Sequence, residues 1–181
     1  EELLENACGD VWAHALEAFL SPLATPQLRA EAADILRGLS GLPLARAGRW
    51  FELSAAACAV QARSSVGLVH GMAHVLEAPV SRERPDEGIG HAKLCATLLW
   101  PVFCFNRGQS TKVDDLLTEH GLEPEEIAGA IKPFYDPQFF QSLLPAIERD
   151  WKRILRDPCS RTNCALVRPD ALRFFAGSVP A

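Results

Sequence analysis

No stretch of the sequence is apolar for long enough to cross a membrane. The longest apolar run, 94–105, has 12 residues and contains Pro101, whereas a membrane-spanning helix needs about 20. Lys and Arg total 18 against 23 Asp and Glu, and they form no basic cluster. Since nucleic acid is bound by clustered positive charge, we expect neither a membrane segment nor a nucleic-acid partner.

The cysteines form no Cys-x-x-Cys pair, and several lie in apolar helical stretches, where a free thiol acts as a small hydrophobic group. We therefore expect a reducing compartment and a cytoplasmic protein. No signal peptide is recognisable, and the chain begins at Glu1 without an initiator Met, so we expect the natural start to lie upstream. The cysteines are Cys8, Cys58, Cys95, Cys104, Cys159 and Cys164.

Long runs of β-branched residues are also missing, and apolar residues recur at helical spacing throughout, which predicts an all-α fold. The 181 residues, net charge of −5 and 48% hydrophobic content are typical of one soluble domain with a single core. We expect one multi-helix domain over 1–181. Helices are predicted at 3–20, 26–39, 45–64 and 66–76 and from His91, with later starts near Ser110, Pro124, Pro137 and Pro169.

Two segments carry more specific expectations. The helix at 45–64 is rich in alanine, which allows close helix approach and predicts a central packed position. The segment 78–90 is polar and punctuated by Pro and Gly, and it is predicted to be a loop.

Histidines at helical spacing are the main functional signal. Asp10 and His14 are four residues apart, so on a helix they project from the same face and can bind one metal ion together. An Asp–His surface pair is the plainer alternative. His120 stands apart from the others.

His70 and His74 repeat this spacing within an almost wholly apolar helix, so we expect the pair to be buried. Burial of two imidazoles costs free energy unless each finds a hydrogen bond or a metal, and two satisfied core histidines remain the alternative. Gly67 and Gly71 in the same segment predict close approach by another element.

His91 begins the next predicted helix, from which its side chain can reach a cleft between helices. Taken together, one carboxylate and three imidazoles form a set suited to Fe(II) or Zn(II). The candidate metal ligands are Asp10, His14, His70 and His91.

Four blocks resemble, in order and over essentially the whole chain, the helical domain of iron-containing (group III) alcohol dehydrogenases. The first is ENACGDVWAHALEAFLSPLATP, similar to that family's D-x-x-x-H-x-x-E-A. The second is GLVHGMAHVLEAP, similar to G-x-x-H-x-M-A-H-x-L-G. The third is GHAKLCATLLWPVFCFN, similar to H-G-x-x-N-A-x-L-L-P-x-x-x-x-F-N. The last is DPCSRTNCALVRPDALRFFAG, similar to D-x-x-x-x-x-N-P-R-x-x-T-x-x-D.

The resemblance implies the helical C-terminal domain of iron-containing alcohol dehydrogenases and dehydroquinate synthase-like proteins. It assigns Asp10, His14, His70 and His91 as ligands of Fe(II) or Zn(II), and His74 as a catalytic residue beside the metal and near the nicotinamide. The implied reaction is reversible hydride transfer between NAD(P) and an alcohol or aldehyde, with the metal polarising the substrate oxygen. It leaves homo-oligomer formation open.

The chain departs from this family in several ways. It contains no G-x-G-x-x-G or G-G-G-S phosphate loop, so NAD(P) is expected to bind through a nucleotide domain on another segment or chain. The segment between His74 and His91 is longer than usual, Ala92 replaces a glycine, and Cys164-Ala165 replaces Pro-Arg. A stand-alone, non-catalytic metal-binding or regulatory protein remains the alternative. An all-α hydrolase built on a His-Asp dipeptide is disfavoured because the sequence has none.

Overall fold

The computed structural model describes residues 2–177, and within that range every regular element is a helix. The all-α prediction is therefore confirmed. Short 3-10 helices at Pro85–Glu87, Lys132–Phe134 and Pro169–Ala171 accompany ten α-helices. The α-helices are α1 (Glu2–Leu20), α2 (Pro26–Leu39), α3 (Ala47–Ser64), α4 (Leu68–Glu83), α5 (His91–Gln109), α6 (Lys112–Glu119), α7 (Pro124–Ile131), α8 (Pro137–Ile154), α9 (Pro158–Arg161) and α10 (Leu172–Ala176).

Helix α5 forms the centre of the fold and packs against α1, α4 and α8. Its apolar stretch, including Pro101, is buried almost continuously from Leu94 to Asn106. A helix that is apolar on all sides is typically surrounded by other helices. The 94–105 run thus belongs to the core, and no described helix combines the length and hydropathy needed to cross a bilayer.

Several helix ends follow the local signals in the sequence. The Thr25 hydroxyl accepts a hydrogen bond from the backbone of Leu28, which caps α2 ahead of Pro26. Asp136 caps α8 in the same way, with Pro137 in the first turn. Gly121 adopts a φ of +67° just after α6, a backbone conformation that favours glycine.

The central position predicted for the alanine-rich helix is wrong. Helix α3 packs on α1 and α2 at one side of the domain, and Ala55, Ala59 and Phe51 are exposed. Only one face of the alanine stretch is buried, through residues such as Ala57. Small side chains permit close packing but do not require it.

The loop predicted at 78–90 is also wrong over its first half, because α4 continues to Glu83. Val80 is buried and anchors this last part of the helix. Pro79 removes one helical hydrogen bond, but its fixed φ is compatible with the helix. Ser81 donates a hydrogen bond to the carbonyl of Ile89 and thereby ties the helix end to the segment before α5.

Candidate metal centre

The crossing of α1 and α5 brings Asp10 next to the start of α5. A Cβ on Gly9 would lie 2.5 Å from the Cβ of Ala96, so the two backbones come closer than an alanine at position 9 allows. Asp10 and Cys95, the neighbours of these two residues, face the same space between the helices. The close approach is therefore part of what assembles the site.

The N-terminus of α4 is capped by side chains from distant parts of the chain. Asn163 accepts a hydrogen bond from the backbone N–H of Leu68, and the Glu17 carboxylate accepts one from Val69. Gly67 leaves room for them, since a Cβ there would lie 2.8 Å from Glu17 Oε1 and 2.9 Å from Asn163 Oδ1. The close approach predicted at Gly67 is thus confirmed.

Three imidazoles are held through Nδ1 by an oxygen atom. Nδ1 of His14 lies 3.0 Å from the carbonyl oxygen of Asp10, Nδ1 of His70 lies 2.7 Å from Glu17 Oε2, and Nδ1 of His91 lies 3.3 Å from Glu77 Oε2. A neutral imidazole that donates through Nδ1 presents a lone pair at Nε2. Carbonyl and carboxylate partners of this kind orient metal-binding histidines.

The free nitrogens converge with the Asp10 carboxylate. The Nε2 atoms of His14 and His70 lie 3.1 Å apart, and Nε2 of His70 lies 3.6 Å from Asp10 Oδ1. One donor atom each from Asp10, His70, His91 and Cys95 lies within 4.8 Å of every other. The structure therefore brings together all four ligands predicted from the sequence, with His14 joined to the group through His70.

These residues fit a divalent metal ion. Asp10 Oδ1 is buried, and no donor within 2–177 makes a hydrogen bond to it, which costs free energy unless a cation binds there. The Nε2 atoms of His14 and His70, 3.1 Å apart, would repel each other if both were unprotonated, so this contact requires a proton or a cation between them. Nitrogen and carboxylate donors are suited to Fe(II) and Zn(II).

The pKa values of the two facing histidines shift in opposite directions. Burial and the neighbouring charge of His70 lower the pKa of His14, although Asp10 acts the other way. Burial also acts to lower the pKa of His70, but the hydrogen bond and charge of Glu17, with the charge of Asp10, outweigh it and raise that pKa. Without a metal, a proton shared by the pair therefore belongs on His70.

His74 lies beside the cluster rather than within it. Its side chain is 44% exposed, whereas His70 is 2% exposed, so the prediction that both are buried is wrong for His74. The His74 ring stacks on that of His91, with centroids 5.5 Å apart. Its Nδ1 lies 3.6 Å from Oδ2 of Asp157, the residue that caps α9, and 3.9 Å from Sγ of Cys159, which lies within α9.

Three residues of this site were not among those predicted from the sequence: Glu17, Glu77 and Cys95. The apolar surroundings of Cys95 predict a small core residue, but its Sγ lies 3.4 Å from Nε2 of His91. A signal for Cys95 existed, because it occupies the Asn position of the family pattern quoted above. Glu17 is the glutamate of the quoted D-x-x-x-H-x-x-E-A pattern, but nothing in the sequence pairs Glu17 with His70 or Glu77 with His91. His120 contacts Phe19 and Arg37 instead.

A cavity of about 560 Å³ elsewhere in the domain, between α1 and the segment after α7, includes Trp12 and Tyr135 in its lining but none of these histidines. The histidine cluster instead opens at the surface, where His74 and His91 are partly exposed.

No protein-family model and no curated protein matches the sequence, but the fold is similar to that of solved alcohol dehydrogenases. The iron-containing alcohol dehydrogenase from Thermococcus thioreducens aligns with a TM-score of 0.69 and 19% identity, covering 98% of this chain and 51% of that one. The alcohol dehydrogenase from Oenococcus oeni gives a TM-score of 0.73 and 17% identity, with 97% and 51% covered.

The iron-containing alcohol dehydrogenase from Thermotoga maritima aligns similarly, with a TM-score of 0.67 and 18% identity over 97% of this chain and 48% of that one. The chain therefore spans about half the length of these structures. The expected resemblance to iron-containing alcohol dehydrogenases is confirmed for the fold. At identities of 17–19% the similarity establishes the fold alone.

Proposed function

We propose that this chain is the metal-binding helical domain of an NAD(P)-dependent oxidoreductase that interconverts an alcohol and an aldehyde or ketone. The observation that carries the proposal is the convergence of the Nε2 atoms of His14 and His70 with a buried carboxylate oxygen of Asp10 that accepts no hydrogen bond within 2–177, in a fold shared with alcohol dehydrogenases. Asp10, His14, His70 and His91 would hold Fe(II) or Zn(II). When bound, the metal would polarise the substrate oxygen as a Lewis acid.

Residues around the proposed ligands would have two further roles, namely to orient the ligand histidines and to contact the cofactor or substrate. Glu17 and Glu77 keep the Nε2 atoms of His70 and His91 turned toward the centre. His74, one helical turn from His70 and on the exposed side, would contact the nicotinamide or relay the proton of the alcohol. NAD(P) is proposed to bind through a nucleotide domain outside these 181 residues.

Metal analysis of the purified chain tests the centre directly. After reconstitution with Fe(II) or Zn(II) under reducing conditions we expect close to one equivalent, and His70→Ala should abolish binding. His120→Ala is the matched control, because His120 lies away from the cluster, and it should bind as the parent does. Less than about 0.1 equivalent in the parent protein would contradict a metal centre.

The catalytic part of the proposal needs a second test. The 181-residue chain alone should neither bind nicotinamide cofactors nor turn over an alcohol, because it has no phosphate-cradling loop and hydride transfer requires the cofactor held against the substrate. Joined to a nucleotide domain, it should oxidise alcohols only when loaded with metal. Metal binding without activity in that two-domain protein would favour the non-catalytic alternative.

A further inference from the structure

We propose that Cys95 is itself a metal ligand and that its thiolate makes the centre prefer Zn(II) to Fe(II). This inference rests on the proposed metal centre. It adds a sulfur donor to a set that was predicted from the sequence to contain only nitrogen and oxygen.

The position of Cys95 matches that of a ligand. It lies one turn after His91 on α5, and its Sγ is 3.4 Å from the Nε2 atom of that histidine. Given Zn–S and Zn–N bonds of about 2.3 and 2.0–2.1 Å, two ligand atoms of a tetrahedral zinc ion lie about 3.3–3.6 Å apart. Asp10 Oδ1 and His70 Nε2 lie 3.6 Å apart, slightly more than the separation of about 3.3–3.5 Å that Zn–O and Zn–N bonds of about 2.0–2.2 Å give.

The packing of the helices holds the thiol at the cluster. Cys95 is fully buried, and the next residue, Ala96, is the one that Gly9 approaches so closely. The α1–α5 crossing therefore fixes Cys95 opposite Asp10, so the thiol needs no rearrangement of the backbone to meet an ion bound there.

The chemistry of the donors then determines the metal. Thiolate ligands select zinc over harder cations, and non-haem Fe(II) is typically bound by two histidines and one carboxylate with open positions. As the metal–sulfur bond forms, the thiol proton leaves to solvent and no electron is transferred. Cys95 would add a sulfur donor to this set, since one donor atom each from Asp10, His70, His91 and Cys95 lies within 4.8 Å of every other.

Cobalt(II) gives a readout that does not depend on activity, because a cobalt–thiolate bond produces a charge-transfer absorption in the near ultraviolet. The reduced 181-residue chain is stripped of metal and titrated with Co(II) without oxygen. We expect the band to saturate at one equivalent. Cys95→Ser should still bind Co(II) but lose the band, whereas Cys104→Ser, on the same helix and outside the cluster, should keep it.

Several outcomes would overturn the inference while leaving the metal centre intact. Co(II) binding without the band is one, and persistence of the band in Cys95→Ser is another. Loss of the band in Cys159→Ser instead would assign the sulfur ligand to Cys159, which lies beside His74 and Asp157. Failure of the parent chain to bind any Co(II) would contradict the metal centre as well. Cys95→Ala serves as a second variant if the serine variant does not fold.

Competition between Zn(II) and Fe(II) tests the preference separately. We expect the ratio of zinc to iron affinity in Cys95→Ser to fall by about tenfold or more relative to the parent, and that in Cys104→Ser to stay unchanged. An unchanged ratio in Cys95→Ser would contradict the preference even if the cobalt band is present.

Discussion

The Glu17 carboxylate lies 2.7 Å from Nδ1 of His70 and at the same time accepts a hydrogen bond from the backbone N–H of Val69. One buried acid on α1 thus caps the first turn of α4 and sets the orientation of an imidazole on that helix. The position of His70 in the candidate metal centre and the docking of α4 on α1 therefore depend on the same group.

Replacement of Glu17 by Gln should weaken metal binding by about 10–100-fold, because an amide loses the charge that orients His70 and favours its Nδ1–H tautomer. Titration of the stripped protein with Zn(II) measures the effect. Glu148→Gln, the same change at an exposed position of α8, should leave the affinity unchanged. Equal affinities for the two variants would show that Glu17 only caps the helix.

Gly9→Ala should destabilise the fold by about 1–3 kcal/mol, since the new Cβ overpacks a well-packed crossing. It would lie 2.5 Å from the Cβ of Ala96, and the separation of α1 and α5 must increase. Denaturant unfolding measures the loss, and metal affinity should fall with it because Asp10 moves away from α5.

The matched control for this prediction is Gly129→Ala, in α7, where an added Cβ meets no atom within 4 Å. That variant should be neutral or stabilised by up to about 1 kcal/mol, the usual difference between Gly and Ala in a helix. If Gly9→Ala unfolds at the same denaturant concentration as the parent, the helix crossing is not the constraint described above.

Gly71→Ala tests the docking of α9 on α4. An added Cβ would collide with the Ser160 hydroxyl and lie 2.9 Å from the backbone nitrogen of Ser160. We expect a loss of about 1–3 kcal/mol, and Ser160→Ala in the same chain should restore only part of it, because the backbone clash remains. Full restoration, or no loss at all, would contradict this account of the contact.

Local signals predicted the helices well but not their contacts. Thr25 with Pro26 and Asp136 with Pro137 mark helix starts by chemistry contained in a few neighbouring residues. The continuation of α4 past Pro79 depends on burial of Val80 within the fold, and no local rule could show it.

The candidate site was likewise predictable from the sequence only in part. The spacing of the histidines and the resemblance predicted which imidazoles would meet, and the structure brings them together. Glu17 and His70 are 53 residues apart in the chain, so their pairing follows from helix packing and not from any motif. Cys95 lies four residues after His91 and therefore on the same face of α5, but its apolar surroundings in the sequence favour a core thiol over a ligand.

His74→Gln tests the catalytic role proposed for the one histidine that lies beside the cluster. Its ring stacks on His91 and its Nδ1 faces Asp157, so it can remain in place without binding the metal. In a two-domain protein with a nucleotide domain, we expect the variant to keep its metal content and lose about 10²-fold or more in turnover, the scale usual for removal of an acid–base group.

His120→Gln is the control, and it should change neither the metal content nor the turnover. Unchanged turnover in His74→Gln would show that the residue has only a structural role. Loss of the metal together with His74 would make it a ligand and would require the assignment of His91 to be revised.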